Sequence, residues 1–208
     1  MRKKKFYFIV FEGVEGTGKS YQINKLFHNL KKKKFNIIKT REPGGSPSAE
    51  KIRDLIFAKN SNQFDMLTDF YLMCAARNEH VKKLLLKIKK QKKIVICDRF
   101  TDSTYAYQVI GNKIDKKLNR LNQNYILKGL QPDLTIVLKS NFNTIFARIK
   151  KRKKKNKFDS LKINFYKKAQ NAFIKTARNN KNYCIFDSSK DTPELEKEIL
   201  QTVLEKLK

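Results

Sequence analysis

Gly13-Val14-Glu15-Gly16-Thr17-Gly18-Lys19-Ser20 settles the fold of this 208-residue chain. The stretch fits G-x-x-x-x-G-K-[ST], in which glycines let the backbone curl until successive N–H groups converge on phosphate oxygens. That reading needs a buried strand running into the loop and a helix running out of it. Phe6 to Phe11 supplies the strand, six apolar residues bounded by charge and glycine. Lys19 to Leu30 supplies the helix, with Ile23, Leu26, Phe27 and Leu30 on one face. Its free N-terminal amides and dipole add to the loop's pull on an anion. Gly13, Val14, Glu15, Gly16, Thr17, Gly18, Lys19 and Ser20 are therefore candidate ligands of a nucleoside triphosphate. Lys19 reaches the β- and γ-phosphates, and Ser20 holds Mg²⁺. Glu15 is unusual among such amides, because an inward carboxylate would repel the triphosphate. It is expected to point across the loop, toward a phosphoryl acceptor.

Further strands follow at Asn36 to Thr40, Lys93 to Cys97, Leu134 to Leu138 and Asn182 to Asp187. Between them the spacing predicts helices over Ser46 to Phe57, Asp102 to Val109, Asp115 to Lys128, Asn141 to Lys151 and Leu161 to Arg178. Phe64 to Gln91 contains neither Gly nor Pro and reads as one long helix. Thr192 caps a final helix, with Pro193 in its first turn. Five short apolar strands alternating with helices call for a parallel sheet covered on both faces. The expected architecture is a three-layer α/β/α P-loop NTPase fold, one domain over 1–208. A small basic lid is expected at about 148–160.

Composition sets limits. The chain is 40% hydrophobic, with fifteen Phe, which argues against disorder. Lys and Arg number 48 against 19 Asp and Glu, for a net charge of +29. A basic surface attracts polyanions such as nucleic acid, nucleotides or acidic lipid. A biased composition that places Lys at any solvent-facing position gives the same total. The excess is mainly Lys, with Asn and Ile also common, which favours the second reading. Salt-sensitive, non-specific binding to nucleic acid is expected as a side effect, and a specific nucleic-acid partner is not. Cys74, Cys97 and Cys184 are too scattered for a metal or disulfide framework and suit a reduced, cytoplasmic compartment. The apolar run after Met1-Arg2-Lys3-Lys4-Lys5 breaks at Glu12, too soon for a signal peptide, and no run reaches membrane-span length.

Other charged groups fall where strands end. Ligands of an open parallel sheet bind beyond the carboxyl ends of its strands. Arg41, in Arg41-Glu42-Pro43-Gly44-Gly45, is placed there to clamp an acceptor phosphate. Asp98 ends the strand Ile94 to Cys97, where a Mg²⁺-side carboxylate belongs, and Arg99 can bridge donor and acceptor phosphates. Arg77, beside Cys74-Ala75-Ala76, lines a pocket or is an ordinary exposed helix position; spacing leaves both open. The block Lys150-Lys151-Arg152-Lys153-Lys154-Lys155-Asn156-Lys157 suits a lid that brings cations to developing charge. His28 and His80 show no partner cluster in the sequence.

Together these stretches resemble the thymidylate kinase (dTMP kinase) family of P-loop nucleoside monophosphate kinases. The matching pieces are Phe11 to Ser20, Thr40 to Gly45, Cys74 to Arg77, Asp98 to Gln108 and Gln131-Pro132-Asp133-Leu134, in the family's order. The resemblance implies ATP and dTMP as substrates, Mg²⁺ as cofactor, and a homodimer. It implies that Glu15 faces the sugar 3′-hydroxyl and that Arg41, Arg77 and Arg99 hold the dTMP phosphate. Met73, Thr104, Tyr107 and Gln108 would line the thymidine pocket, and Lys19, Asp98, Arg99, Arg152 and Lys157 would serve the transfer. Met73 stands where the family usually offers Phe, Asn112 where it offers Arg, and Asn156-Lys157 where the lid has Asp-Arg. Two rivals remain at this point: a kinase of another nucleoside monophosphate or a deoxynucleoside, and a basic P-loop ATPase that binds nucleic acid.

Overall fold

A computed structural model describes residues 5–58, 64–152, 157–189 and 192–207. Five strands form one parallel sheet: β1 (Tyr7–Glu12), β2 (Ile37–Arg41), β3 (Ile94–Asp98), β4 (Leu134–Lys139) and β5 (Tyr183–Asp187). Their spatial order is β2-β3-β1-β4-β5. Tyr7 lies opposite Ile94, Ile9 opposite Leu134, and Thr135 opposite Tyr183. The central strand β1 is therefore the switch point, with successive connections leaving it in opposite directions. Its carboxyl end is where a ligand crevice is expected.

The strands are apolar on both sides because helices cover both sides. Ile9 and Phe11 pack with Ile23, Leu26 and Leu30 of α1 (Lys19–Lys32) and with Leu195 and Ile199 of α9 (Pro193–Lys206). On the opposite face, Phe8 and Val10 meet Phe70 and Cys74 of α3 (Met66–His80) and Ile126 and Leu127 of α6 (Lys116–Leu127). Val137 packs there with Ile145 of α7 (Phe142–Lys150) and Phe173 of α8 (Ile163–Arg178). The three-layer α/β/α arrangement read from the sequence is the one observed. Each strand begins one residue later than its pattern predicts, apart from β4, which starts at Leu134 as expected.

Helix ends follow capping chemistry. Ser46 accepts from the Ala49 N–H ahead of α2 (Pro47–Phe57), Asp65 from Leu67 and Thr68, and Asp115 from Leu118. Asp65 thus starts the long helix at Met66 rather than at Phe64. That helix continues from α3 through a π-helical turn, Val81–Leu85, into α4 (Leu86–Lys90). The predicted helix over Asp102 to Val109 divides into α5 (Thr101–Thr104) and a π-helical stretch, Tyr105–Gly111. Widened turns of this kind gather at functional sites. Here one buries Tyr107 and Gln108.

Candidate active site

The loop after β1 is built by packing as much as by motif. Gly13 has φ +137°, and a Cβ there would lie 2.3 Å from the Leu138 carbonyl oxygen. Only glycine lets the loop leave β1 pressed against β4. Thr17 Oγ1 donates to the Val14 carbonyl at 2.8 Å, and Ser188 Oγ donates to the Thr17 carbonyl at 2.7 Å. Arg148 Nη1 donates to the carbonyls of Gly16 (3.2 Å) and Ser188 (2.9 Å), strapping α7 to the loop. Lys19 Nζ curls back onto the carbonyls of Gly13 and Val14 at 2.8 and 2.9 Å. Burial, reinforced by the nearby Arg99 guanidinium, pulls its pKa down to about 8. Ser20 Oγ donates to Asp98 Oδ2 at 3.2 Å, joining the helix start to the end of β3. Asp98 Oδ1 is buried and has no hydrogen-bond partner among the described residues.

Arg99 follows β3 with φ +72°, a left-handed conformation that costs an L-residue of order 1 kcal/mol. The turn sends its side chain back over the loop. Nη1 donates to the Gly13 carbonyl at 2.9 Å and to Ser103 Oγ at 3.0 Å, and Nη2 donates to Glu15 Oε1 at 2.7 Å. The guanidinium also lies 5.2 Å from the Tyr107 ring centroid. Burial opposes its charge, but Tyr107, Glu15 and Asp98 more than compensate, so its pKa is raised. Glu15 is buried and accepts a short hydrogen bond from Tyr107 Oη through its other oxygen. Burial would push this carboxyl up; Arg99 and Lys19 outweigh that and hold it below the usual carboxylate range. It points toward Arg99 and Tyr107, which bind both of its oxygens.

Across the same cavity a second buried network holds Arg77. Its Nε donates to Glu42 Oε2 at 2.7 Å, Nη1 to Thr104 Oγ1 at 2.9 Å, and Nη2 to the Phe100 carbonyl at 2.9 Å. Both Arg77 and Glu42 are 3% exposed, so the pocket alternative holds and the exposed-helix alternative does not. The absence of partners read for His80 is corrected. His80 is fully buried and joins Glu42 Oε1 through Nδ1 at 2.8 Å and Thr40 Oγ1 through Nε2 at 2.8 Å. The sequence hid this because Glu42 and His80 stand 38 residues apart. Burial alone would raise the Glu42 pKa, yet Arg77 and His80 hold it below the usual range.

One cavity is lined by twelve of the eighteen candidates; Gly13, Val14, Gly16, Thr17, Gly18 and Lys157 are not among its lining. Glu15, Lys19 and Ser20 line its donor side together with Asp98 and Arg99. Arg41, Met73 and Arg77 line the opposite side with Thr104, Tyr107 and Gln108. Arg152 reaches it from the lid, where its Nη1 donates to Asp159 Oδ1 at 2.8 Å. Lys157 opens a short 3₁₀ turn, Lys157–Ser160, while residues 153–156, including Asn156, lie outside the described residues. Arg41 is half-exposed and donates to Glu50 Oε2 at 2.9 Å.

Seven lining residues were not among the candidates, and three of them, Arg53, Phe57 and Phe158, lay outside every motif quoted from the sequence. Arg53 donates to the Pro43 carbonyl at 2.6 Å and lies over the Phe57 ring. It sits four residues after Ala49 and three before Ile56, both fully buried, so an Arg on that apolar stripe was a readable signal. Phe57 and Phe158 stack edge-on, with centroids 5.9 Å apart, and Phe158 packs likewise on Tyr107 at 5.3 Å. No local pattern marks Phe158, because the residues it meets lie 51 and 101 positions away.

Comparison with known proteins agrees with this geometry. The thymidylate kinase family model matches residues 11–199. A thymidylate kinase of Mycoplasma capricolum subsp. capricolum is 34% identical over 204 residues, covering 97% of this chain and 96% of that protein. One from Mycoplasmoides gallisepticum is 39% identical over 191 residues, 90% of this chain and 89% of that protein. The crystal structure of thymidylate kinase from Ehrlichia chaffeensis superposes with a TM-score of 0.77 at 28% identity, covering 96% and 99% of the two chains. Among the described residues, no helix is long and apolar enough to cross a membrane.

Proposed function

We infer the working of this site from one premise: the chain belongs to the thymidylate kinase family. It phosphorylates dTMP to dTDP with ATP as phosphoryl donor. The rival readings, another nucleotide kinase or a nucleic-acid-binding ATPase, are not favoured. The observation that carries the residue assignments is one cavity lined by Lys19 and Arg99 on its donor side and by Arg41 and Arg53 as well.

In the proposed mechanism, Gly13 to Ser20 grip the triphosphate through main-chain N–H groups, and Lys19 neutralises its far end. Arg41 and Arg53 hold the dTMP phosphate, whose oxygen attacks the γ-phosphorus in line. Arg99 lies between the two and matches the charge that builds up during transfer. Glu15, fixed by Arg99 and Tyr107, takes the sugar 3′-hydroxyl. Arg77 is assigned to the base end of the pocket rather than to the phosphate. Its charge is already matched by Glu42, and it bonds Thr104, one helical turn from Gln108. Met73 and Phe158 supply apolar contact there. Arg152 brings a lid cation over the reacting phosphates.

Mg²⁺ fits this site. The free buried oxygen of Asp98 and the Ser20 hydroxyl beside it are the donor set of a cation that keeps most of its remaining ligands as water and phosphate oxygen. Bound there, the ion would shield triphosphate charge and orient the γ-phosphoryl group. We place the protein in the cytoplasm as a homodimer. The exposed Leu55 on α2 and Met66, Leu67 and Tyr71 on the adjoining α3 are the surface for the second copy.

The test is ADP release with ATP against dTMP, dUMP, UMP, CMP, AMP and GMP. The expected result is turnover with dTMP far above the ribonucleotides. Equal turnover with UMP would overturn the substrate assignment.

A further inference from the structure

Glu12 does not line the cavity, yet it is fully buried directly behind Arg99. Its Oε1 accepts the N–H groups of Phe100 (2.8 Å) and Ser103 (3.1 Å), and its Oε2 accepts the Ser103 hydroxyl at 2.6 Å. Ser103 has a single hydroxyl proton, and it goes to Glu12. The oxygen is left as an acceptor, and Arg99 Nη1 donates to it at 3.0 Å.

We propose that Glu12 and Ser103 are positioning residues for the transfer, which fix the Arg99 guanidinium through the chain Glu12–Ser103–Arg99. The inference rests on the reading that Arg99 stabilises the phosphates. Three features need such a support. Arg99 starts from a left-handed backbone that an L-residue adopts only when its surroundings impose it. The Arg99 N–H is tied to the Phe11 carbonyl at 2.9 Å, one residue before Glu12, so β1 carries both the backbone anchor and the carboxylate. The other hydrogen-bond partners of the guanidinium, Gly13 and Glu15, belong to the phosphate loop. Among the described residues, Ser103 is the hydrogen-bond partner of the Arg99 side chain that lies outside that loop, and Glu12 ties it to the sheet; Tyr107 meets the guanidinium with its ring alone. Asp102 adds a tie to the far strand by accepting from Tyr183 Oη at 2.8 Å. Removing the Ser103 hydroxyl, or replacing Glu12 so that no acceptor meets it, frees Nη1 to swing with the loop.

The experiment is a double-mutant cycle on the intact enzyme between Ser103→Ala and Arg99→Lys, with Ser103→Thr as the conservative control. Ser103→Ala is expected to lower kcat/KM for dTMP by about tenfold to hundredfold, the cost of a misplaced group in the transition state. Ser103→Thr, which keeps the hydroxyl, should restore most of the loss. In the Arg99→Lys background, Ser103→Ala should cost less than about threefold more, because the residues act as a unit. Glu12→Ala, which removes both acceptor oxygens, should reproduce Ser103→Ala. Should Glu12→Ala fail to fold, the serine cycle decides. An impaired Arg99→Lys alongside a near-normal Ser103→Ala overturns the proposal, and so do additive losses in the cycle or a failure of Ser103→Thr to rescue. If Arg99→Lys itself is near normal, the reading of Arg99 fails instead.

Discussion

The donor loop and the acceptor wall differ in how they are made. The loop is contiguous: Gly13 to Ser20 supplies its own amides, its own lysine and its own helix start. The acceptor wall draws Arg41 from the end of β2, Arg53 from α2, Met73 and Arg77 from α3, Thr104 from the end of α5, and Tyr107 and Gln108 from the π-helical stretch. Its internal bonds span long separations, such as 35 residues from Glu42 to Arg77 and 92 from Glu15 to Tyr107. Local chemistry therefore specifies how the triphosphate is held. Tertiary packing specifies which acceptor is held against it. Damage to the loop should remove chemistry with the fold intact, and damage to the wall's buried ties should loosen the fold itself.

The sharpest break in that comparison is Lys19→Ala. Among the described residues the lysine bonds loop carbonyls alone, so stability should change by less than about 1 kcal/mol. Turnover should fall by at least about a thousandfold, the scale on which a cation stabilising the transferred phosphoryl group contributes. Steady-state assay and thermal unfolding of the same preparation check both halves. Near-normal turnover would end the assignment of Lys19.

Glu42→Gln should show the opposite profile. It strips the charge partner from Arg77 where both side chains are 3% exposed, and it weakens the tie to His80. A buried ion deprived of its partner costs about 3–5 kcal/mol. For a chain of this size that is a drop in Tm of about 6–20 °C. The KM for dTMP should rise while the KM for ATP changes little. A Tm within about 2 °C of the parent would show that the network is not holding the wall together.

These two residues also mark what could be read from the sequence. Lys19 was legible because its motif, strand and helix are adjacent, and each constrains the next. The five-strand alternation was legible for the same reason. Glu42 and His80 looked like a turn residue and an isolated histidine, since nothing local tells that a helix returns to meet a strand end 38 positions earlier. Glu12 looked like the charge that ends the apolar run of the first strand. Its role lies in bonds to residues 88 and 91 positions away. Arg53 was the exception, a wall residue whose place on the apolar stripe of α2 could have been found by helical spacing alone.

A milder test uses pH. Burial, then the neighbouring Asp102, pushes Glu12 up to about 8, and burial raises Asp102 as well, so the two titrate as a pair. A carboxyl whose folded pKa lies above its unfolded value keeps a proton that unfolding releases. Its contribution is present at low pH and is lost as pH rises from about 4.5 toward 8. Glu15 and Glu42 are shifted down, so their contributions are lost only as pH falls through the acid range. Between about pH 5.5 and 7.5 the buried pair should therefore make stability fall, by at most about 1.4 kcal/mol per pH unit for one proton. Denaturant unfolding across that window should show the slope in the parent. Glu12→Gln or Asp102→Asn should flatten it, and an unchanged slope in both would mean that the pair does not share a proton.

The smallest effect is expected at Glu50, and it sharpens the contrast within the wall. Arg41–Glu50 has the same chemistry as Arg77–Glu42 and a similar distance, 2.9 against 2.7 Å. The difference is water: the Arg41 side chain is 54% exposed and that of Glu50 36%. An exposed pair contributes about 0–1 kcal/mol, because solvent replaces either partner at little cost. Glu50 also accepts the Gly45 N–H at 2.7 Å, a bond that Gln can keep. Glu50→Gln should thus shift Tm by less than about 3 °C and raise the KM for dTMP only a few-fold, through a looser Arg41. If it instead matched Glu42→Gln in unfolding, burial would not be what separates the two ion pairs. Arg41 would then have to be counted among the supports of the fold rather than as a clamp left free to meet an incoming phosphate.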